Sequence, residues 1–356
     1  MRIIVAGGKT GGHIFPALSI IKELRKIKGN ISVFFIGSGS KIERMLLEGE
    51  PVVHEKINVY PIMGMGLKAI KSFLYLPLSL FDALEKVKRI KPDCILGMGG
   101  YSSGPVIIAG WLRGVPTFIH EQNYVPGFTN RILKFFVRKV FYSFRESGRF
   151  FGRKGIYTGN PVREEFFEVR GEVSDYFTIL IFGGSQGSSI LNSSFVRTLP
   201  MISEKIDNLR IFHSTGEADY EKVLEEYKRY NFVWEVKPFF NNMWDYFAKA
   251  DLIVSRAGAS TIFEILSSGK ASILVPFAKS AGSHQLRNAM ELKKKGVAEV
   301  ILEKELSEVK LASKILELFQ DRKKLKEMGE KAKDLVERDA SLRIAQSILK
   351  EIKENV

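Results

Sequence analysis

Four short stretches carry residue types and spacings that could do chemistry. Gly7-Gly8-Lys9-Thr10-Gly11-Gly12-His13 follows an apolar run (RIIVA, 2–6) and precedes an amphipathic stretch. Glycines at such a junction let the chain turn sharply and let a ligand approach the backbone. The helix start beyond has unpaired N–H groups and the positive end of the helix dipole, which suits a diphosphate or another anion. A tight strand-to-helix turn without a ligand would need the same glycines. Gly183-Gly184-Ser185-Gln186-Gly187 repeats the arrangement after FTILIF (177–182). His120-Glu121-Gln122-Asn123 follows a third apolar run. Four consecutive polar side chains at a sheet edge suit a sugar-binding rim as well as a hydrogen-bonded loop. In residues 255–264 (SRAGASTIFE), small residues precede a helix, with Glu264 near its start. A carboxylate there can accept both hydroxyls of a ribose or simply answer the helix dipole.

Two familiar nucleotide motifs fail against these residues. A P-loop ending at Gly8-Lys9-Thr10 needs a glycine where Ile3 stands, inside the apolar run. A dinucleotide fingerprint needs an acidic residue closing the second strand, and that strand ends Ile36-Gly37-Ser38. Metal-ligand patterns are missing too: the five histidines (13, 54, 120, 213, 284) are scattered and no paired-aspartate or HExxH motif occurs. A departing diphosphate would then be stabilised by helix ends, backbone amides and an arginine, with no metal and no cofactor.

The elements that must position these residues alternate. Strands are expected at 2–6, 31–36, near 52–58, 93–97 and 115–119, with helices at 13–28, 41–48, near 68–90 and 103–113. The pattern restarts at 177–182, with strands at 209–213, 233–236, 251–254 and 272–275 and helices between them. Such βαβα series imply mainly parallel sheets covered by helices. The length of 356 residues also favours two domains. We expect a first domain over 1–162 and a second over 163–337, with the charged C-terminal helix, about 338–356, free to pack back on the first. The lone Cys94 lies in an apolar run, which rules out an internal disulfide and suits a reducing compartment. No apolar run approaches the roughly 18 residues of a spanning helix, and the N-terminus lacks a signal-peptide pattern. The net charge of +14 is unevenly placed: residues 1–160 hold 24 Lys+Arg against 10 Asp+Glu, and residues 161–356 hold 30 of each. An anionic partner for the first half follows: nucleic acid, anionic lipid or a phosphorylated substrate.

Taken in order, GGKTGGHIFPAL (7–18), GMGGYSSGP (97–105), HEQN (120–123), TGNPVR (158–163), GGSQG (183–187), ADLIVSRAGASTIFE (250–264) and HQLRNA (284–289) resemble the MurG family of bacterial transferases. The ordered set, spread through most of the chain, is specific where each member is weak. The resemblance implies the GT-B fold, two Rossmann-like domains with parallel sheets and an inter-domain cleft. It implies metal-independent, inverting transfer of N-acetylglucosamine from UDP-N-acetylglucosamine to lipid I, undecaprenyl-pyrophosphoryl-N-acetylmuramoyl-pentapeptide, giving lipid II for peptidoglycan. By that resemblance Arg163 and the backbone of Phe240 meet the uracil, Glu264 takes the ribose hydroxyls, and Ser185 holds a phosphate. Ala259, Ser260, Thr261, His284 and Gln285 face sugar and phosphates, while Thr10, Gly11, Gly12 and Asn123 close the cleft from the first domain. His13 is the candidate base for the acceptor hydroxyl, since a helix start disfavours imidazolium and keeps the ring able to accept a proton; donation to phosphate is the competing role. This chain departs from the family at Lys9, where a third glycine is usual, and at Ser283, often acidic.

The implied acceptor is membrane-anchored, so location matters. Residues 64–81 and 131–139 (RILKFFVRK) mix bulky apolar side chains with Lys and Arg. Buried helix faces flanked by solvated charges would look the same. With the charge asymmetry, however, we expect an apolar patch ringed by cations that docks peripherally on anionic lipid at the cytoplasmic side of the cell membrane. The rivals are another GT-B enzyme, such as a glycolipid glycosyltransferase or a UDP-sugar epimerase, and a nucleic-acid-binding protein. The last is disfavoured because the cations are interleaved with aliphatics and no nucleic-acid module is present.

Overall fold

The computed structural model describes residues 1–8, 10–59 and 68–353, without the side chains of 68–76 and Ala281. Lys9 and residues 60–67 therefore lie outside the described residues, as does much of the expected lipid-facing stretch 64–81. The chain forms two compact units, Met1–Val162 with Glu337–Val356, and Arg163–Val336.

In the first unit seven parallel strands, β1 (Arg2–Ala6), β2 (Ser32–Gly37), β3 (Val53–Lys56), β4 (Cys94–Gly97), β5 (Thr117–Glu121), β6 (Lys139–Tyr142) and β7 (Gly155–Tyr157), lie in the order β3-β2-β1-β4-β5-β6-β7. Helices α1 (Gly11–Lys28), α2 (Lys41–Leu47), α3 (Lys68–Ile90), α4 (Ser103–Leu112) and α5 (Phe128–Leu133) connect them. The central strands β1 and β4 are apolar on both faces, as a sheet covered on both sides requires. Ile3 and Val5 of β1 pack with Ile14, Ala17, Ile21 and Leu24 of α1 on one side. Ile4 and Ala6 pack with Ala83, Val87, Val106 and Ile107 of α3 and α4 on the other.

In the second unit β8 (Phe177–Phe182), β9 (Leu209–Ser214), β10 (Val233–Lys237), β11 (Leu252–Ser255), β12 (Ala271–Leu274) and β13 (Glu299–Val300) form a parallel sheet in the order β10-β9-β8-β11-β12-β13. Around it stand α6 (Ser189–Ser203), α7 (Tyr220–Tyr227), α8 (Met243–Lys249), α9 (Ala259–Ser268), α10 (His284–Lys294), α11 (Glu308–Gln320) and α12 (Arg322–Lys333). The last helix, α13 (Ala340–Lys353), belongs to the first unit, where Ile344, Ala345, Ile348 and Leu349 join the α1 side of the core. Among the described residues no helix is long and apolar enough to cross a membrane.

Several boundaries differ from the sequence reading. The short strands β6, β7 and β13 went unread, because a parallel strand of two to four residues carries too few alternations to register. Strand β5 runs to Glu121, so His120 and Glu121 are inside the sheet, not beyond it.

Both sheets share one topological property. In each, the first strand (β1 or β8) has its sequence successor on one side and a later strand (β4 or β11) on the other. The chain therefore leaves neighbouring strands in opposite directions, opening a crevice at their carboxyl ends. Replacing Ile348, which is fully buried, by Ala is expected to destabilise the first unit by about 2–4 kcal/mol. Urea unfolding monitored by hydrogen exchange in α1 checks this, and an unchanged midpoint would remove α13 from that core.

Candidate functional site

At the crevice of the first unit, β1 ends in the turn that opens α1, and β4 ends in Gly97-Met98-Gly99-Gly100. Gly99 and Gly100 have φ of 94° and 79°. The imidazole of His13 lies against them: a β-carbon on Gly99 would sit 3.3 Å from Nε2 and one on Gly100 3.7 Å from Cε1. Glycine is needed here both for the backbone conformation and for the close approach of the ring. His13 Nδ1 is 3.0 Å from the Gly8 carbonyl and 3.5 Å from Thr10 Oγ1. A carbonyl only accepts, so this bond puts the proton on Nδ1 and makes Nε2 the basic nitrogen. Burial lowers the pKa of His13, opposed by the Gly8 carbonyl and by the charges of Glu121 and Glu43. Thr10 is the residue before α1 but does not cap it with its hydroxyl; Gly11 and Gly12 are its first two residues.

The HEQN stretch is mostly internal. His120, Glu121 and Gln122 are buried, which of the two readings left open by the sequence favours the hydrogen-bonded arrangement for these three residues. Burial pushes the His120 imidazole down to about 3, so it is neutral. Glu121 is a hub: Oε1 accepts from the Asn123 amide and Nδ2 at 2.9 and 3.0 Å, and Oε2 from Gly127 N and Asn130 Nδ2 at 3.0 and 2.9 Å. Burial raises its pKa, and those four donors oppose the rise. Gln122 Nε2 donates to the Met98 carbonyl at 2.8 Å, tying β5 to the glycine turn after β4. Asn123, half-buried, is the member of the stretch held out by this hub.

In the second unit, β8 ends in Gly183–Gly187 and the adjacent β11 ends in Arg256-Ala257-Gly258. Gly184 and Gly187 have φ of 89° and 71°. The turn closes on itself through Gly187 N to the Gly184 carbonyl, 3.0 Å, with Ser185 half-buried within it. Helices α6 and α9 both start without a capping side chain. Gly258, before α9, has none, and the hydroxyl of Ser188, before α6, instead accepts from Arg256 Nε at 2.9 Å. Arg256, almost fully buried, also donates from Nη1 to the Val275 carbonyl and pairs with Glu303 at 2.6 Å. Neither Arg256 nor Glu303 was singled out from the sequence; an arginine directly after an apolar strand was the available signal.

Ala259, Ser260 and Thr261 form the first turn of α9, whereas Glu264 is its sixth residue. A helix-start charge effect therefore does not account for Glu264. Glu264 is buried and its Oε1 accepts from Arg163 Nη2 at 2.8 Å. Burial raises its pKa, and the Arg163 charge and hydrogen bond oppose the rise. The Arg163 guanidinium also lies over the rings of Phe166 and Trp244, 4.8 and 5.2 Å from their centroids. The structure thus pairs Arg163 and Glu264 with each other. Gln285 Oε1 accepts from Ala257 N at 3.2 Å and Phe277 N at 3.0 Å, joining α10 to the ends of β11 and β12. His284 opens α10 after Gly282 and Ser283, both left-handed (φ 58° and 54°); burial, then Arg287, lowers its pKa. Phe240, three residues after β10, is buried, with its ring stacked on Tyr246 at 3.8 Å. Among the described residues no three His, Cys, Asp or Glu gather as metal ligands would.

Residues 3–142 match the glycosyltransferase family 28 N-terminal domain and residues 178–345 the family's C-terminal domain. The chain is 41% identical over 340 residues to the UDP-N-acetylglucosamine–N-acetylmuramyl-(pentapeptide) pyrophosphoryl-undecaprenol N-acetylglucosamine transferase of Syntrophus aciditrophicus, covering 94% of each chain. It is 38% identical to the transferase of the same name from Geobacter sulfurreducens, over 99% of this chain and 98% of that one. Among solved structures it resembles MurG of Acinetobacter baumannii, with a TM-score of 0.76 and 29% identity over 98% and 99% of the two chains. A UDP-N-acetylglucosamine 2-epimerase from Listeria monocytogenes shares the fold at a TM-score of 0.73 and 12% identity.

The glycine turn of the second unit gives a paired test of this geometry. A β-carbon on Gly187 would overlap the Thr215 carbonyl oxygen, whereas one on Gly184 meets nothing within 4 Å. Both have positive φ, so Gly184→Ala is expected to cost about 1 kcal/mol from backbone strain alone. Gly187→Ala should cost at least about 2 kcal/mol more, because the turn must move. Thermal unfolding of the two variants checks the difference; equal losses would reject this packing.

Proposed function

The chain belongs to glycosyltransferase family 28, in its MurG branch, and on that premise we propose that it moves N-acetylglucosamine from UDP-N-acetylglucosamine to the undecaprenyl-pyrophosphoryl-N-acetylmuramoyl-pentapeptide acceptor. The observation that carries the reading is that the family match runs through both units, with the matched motifs standing at both switch points. The second unit handles the donor. The starts of α6 and α9, from adjacent strands, direct amides toward the diphosphate, and Ser185 adds a hydroxyl. Arg163 and the Phe240 backbone meet the uracil. Glu264 exchanges part of its bond to Arg163 for the ribose hydroxyls. Gln285 Oε1 is held by two backbone amides, which directs its Nε2 at the sugar or phosphate; His284 and the Ala259–Thr261 turn complete that wall.

The first unit handles the acceptor. An acceptor hydroxyl oxygen attacks the anomeric carbon as the bond to the UDP oxygen breaks, inverting that carbon. His13 Nε2 takes the hydroxyl proton, and UDP leaves with the bonding electrons. Fixed dipoles stabilise the charge that develops on the diphosphate, so the step is proposed to need no metal. Thr10, Gly11, Gly12 and Asn123 line the approach.

Lipid contact is assigned to the first unit. Leu78 and Phe81 of α3, Trp111 and Leu112 of α4, and Phe128, Ile132 and Phe135 in and after α5 are exposed, and α4 packs against both other helices. Within 131–139, however, Leu133 and Val137 are core residues, and Arg138 and Lys139 bond to Glu351 of α13. The patch is therefore narrower than the sequence suggested, and we place it at the cytoplasmic face of the membrane.

Transfer of labelled N-acetylglucosamine to a lipid acceptor analogue is expected to persist in EDTA; loss restored by a divalent cation would reject the metal-free step. His13→Ala should lower kcat at least about 100-fold. Arg163→Ala and Glu264→Ala should act mainly through a higher KM for the donor. The base must be neutral, and burial holds its pKa below the ordinary 6.5; kcat should be flat through neutrality and fall only on the acid side. Incubation with UDP-N-acetylglucosamine alone should give no epimer. In vesicle co-sedimentation, Phe135→Ser combined with Phe81→Ser should weaken binding to anionic liposomes about tenfold; binding unchanged by these substitutions would move the patch elsewhere.

A further inference from the structure

Glu43 was not singled out in the sequence. It is fully buried, on the short helix α2, beneath the first glycine turn. Its Oε1 accepts from Ser38 N at 3.2 Å and Ser38 Oγ at 2.6 Å, and Oε2 from Gly39 N at 2.7 Å. A carboxylate therefore does stand at the end of β2, delivered by the following helix instead of by the strand. Part of this is helix capping, since Ser40 Oγ accepts from Glu43 N at 3.2 Å in the manner of a capping box. Capping does not account for its other neighbours. A β-carbon on Gly8 would lie 2.5 Å from Oε1, and one on Gly37 2.5 Å from Oε2. The carboxylate thus fills the space that these two glycines leave, and Gly8 is the residue whose carbonyl receives His13 Nδ1–H at 3.0 Å.

We propose that Glu43 is a positioning residue for His13, acting through Gly8: by bracing the underside of the turn it fixes the carbonyl that keeps the imidazole proton on Nδ1 and Nε2 open to the acceptor's proton. The proposal rests on the reading of His13 as the base. A buried carboxylate suits this task better than an apolar side chain, because three donors from one adjoining turn hold it in a single place. Its charge also reaches His13. Among the described residues, the groups facing His13 are Glu43 from α2, Glu121 and neutral His120 from β5, and Thr10 before α1. Glu43 is itself faced by His54 of β3, whose Nε2 is 3.5 Å from Oε2.

The test is steady-state kinetics of Glu43→Gln and Glu43→Asp, with His13→Ala alongside, from acid to neutral pH. UDP binding, a property of the second unit, and thermal unfolding report integrity. Glu43→Gln should lower kcat about tenfold with both KM values within about twofold. Its acid limb should move to lower pH, because a charge favouring imidazolium is gone. Glu43→Asp should keep the limb at its wild-type position. A Glu43→Gln enzyme with wild-type kcat and acid limb, beside an inactive His13→Ala, overturns the positioning role and leaves the base standing. An active His13→Ala overturns the base reading itself. If Glu43→Gln does not fold, Ser38→Ala removes one donor to the carboxylate and should lower kcat about twofold or more at unchanged KM; unchanged kcat overturns the proposal.

Discussion

Backbone crowding at the carboxyl ends of β1 and β8 governs both units. Each of these strands is paired on both sides, so the chain leaving it must turn at once over a neighbouring strand end. A β-carbon on Gly7 would stand 2.9 Å from Met98 Cβ, and one on Gly183 2.5 Å from Ser188 N. Turns this tight admit only glycine, and they bring the next helix start directly above the sheet edge. The concentration of amide dipoles there follows from the steric constraint, which sets a helix start, with the positive end of its dipole, at the crevice.

Three buried carboxylates show how one side chain takes different roles through its surroundings. Glu121 is saturated by four donors from its own and the following turn and organises Asn123. Glu43 faces three donors from the β2 turn and the bare Cα of two glycines. Glu264 pairs with an arginine side chain, Arg163, instead of with backbone donors. Desolvation raises the pKa of Glu121 and Glu264, but only the latter can exchange its partner cheaply. A guanidinium also held over two aromatic rings stays in place when one hydrogen bond is released. That property suits a ligand-binding carboxylate, whereas Glu121 would lose several bonds to do the same.

The sequence made the parallel two-sheet architecture legible because its strands are continuous apolar runs and its turns are glycine clusters, both local signals. It also exposed the glycine turns and the SRAGAS stretch. It concealed what depends on approach through space. Glu43 is separated from Gly8 by helix α1, strand β2 and the turns between them, and the Ser40–Glu43 capping box beside it marks a helix start, not a buried carboxylate. The pairing of Arg163 with Glu264 spans a hundred residues. The HEQN stretch stayed ambiguous for the same reason: polarity in one dimension cannot tell a rim from an internal hydrogen-bonded stretch, and Asn130, Gly127 and Met98 supply the partners that allow burial. Residues 131–139 likewise read as one patch, although α5 sends Leu133 inward and Ile132 outward, and Phe135 in the turn after it is exposed.

The orienting group on His13 sets the character of the proposed base. A carboxylate on Nδ1 would fix the tautomer and strongly stabilise the imidazolium; a backbone carbonyl fixes the tautomer as well but supplies only a dipole. Burial and the helix start both disfavour the cation, leaving Glu121 and Glu43 to oppose them from a distance. Such a histidine stays neutral throughout the neutral range, ready to accept, but is a weak base that does not ionise an alcohol beforehand. On the proposed reading of His13 as the base, the proton moves late, once attack on the anomeric carbon has acidified the hydroxyl. The same proposal then puts most of the barrier lowering on the leaving-group side, as the task of the helix-start amides proposed to hold the diphosphate.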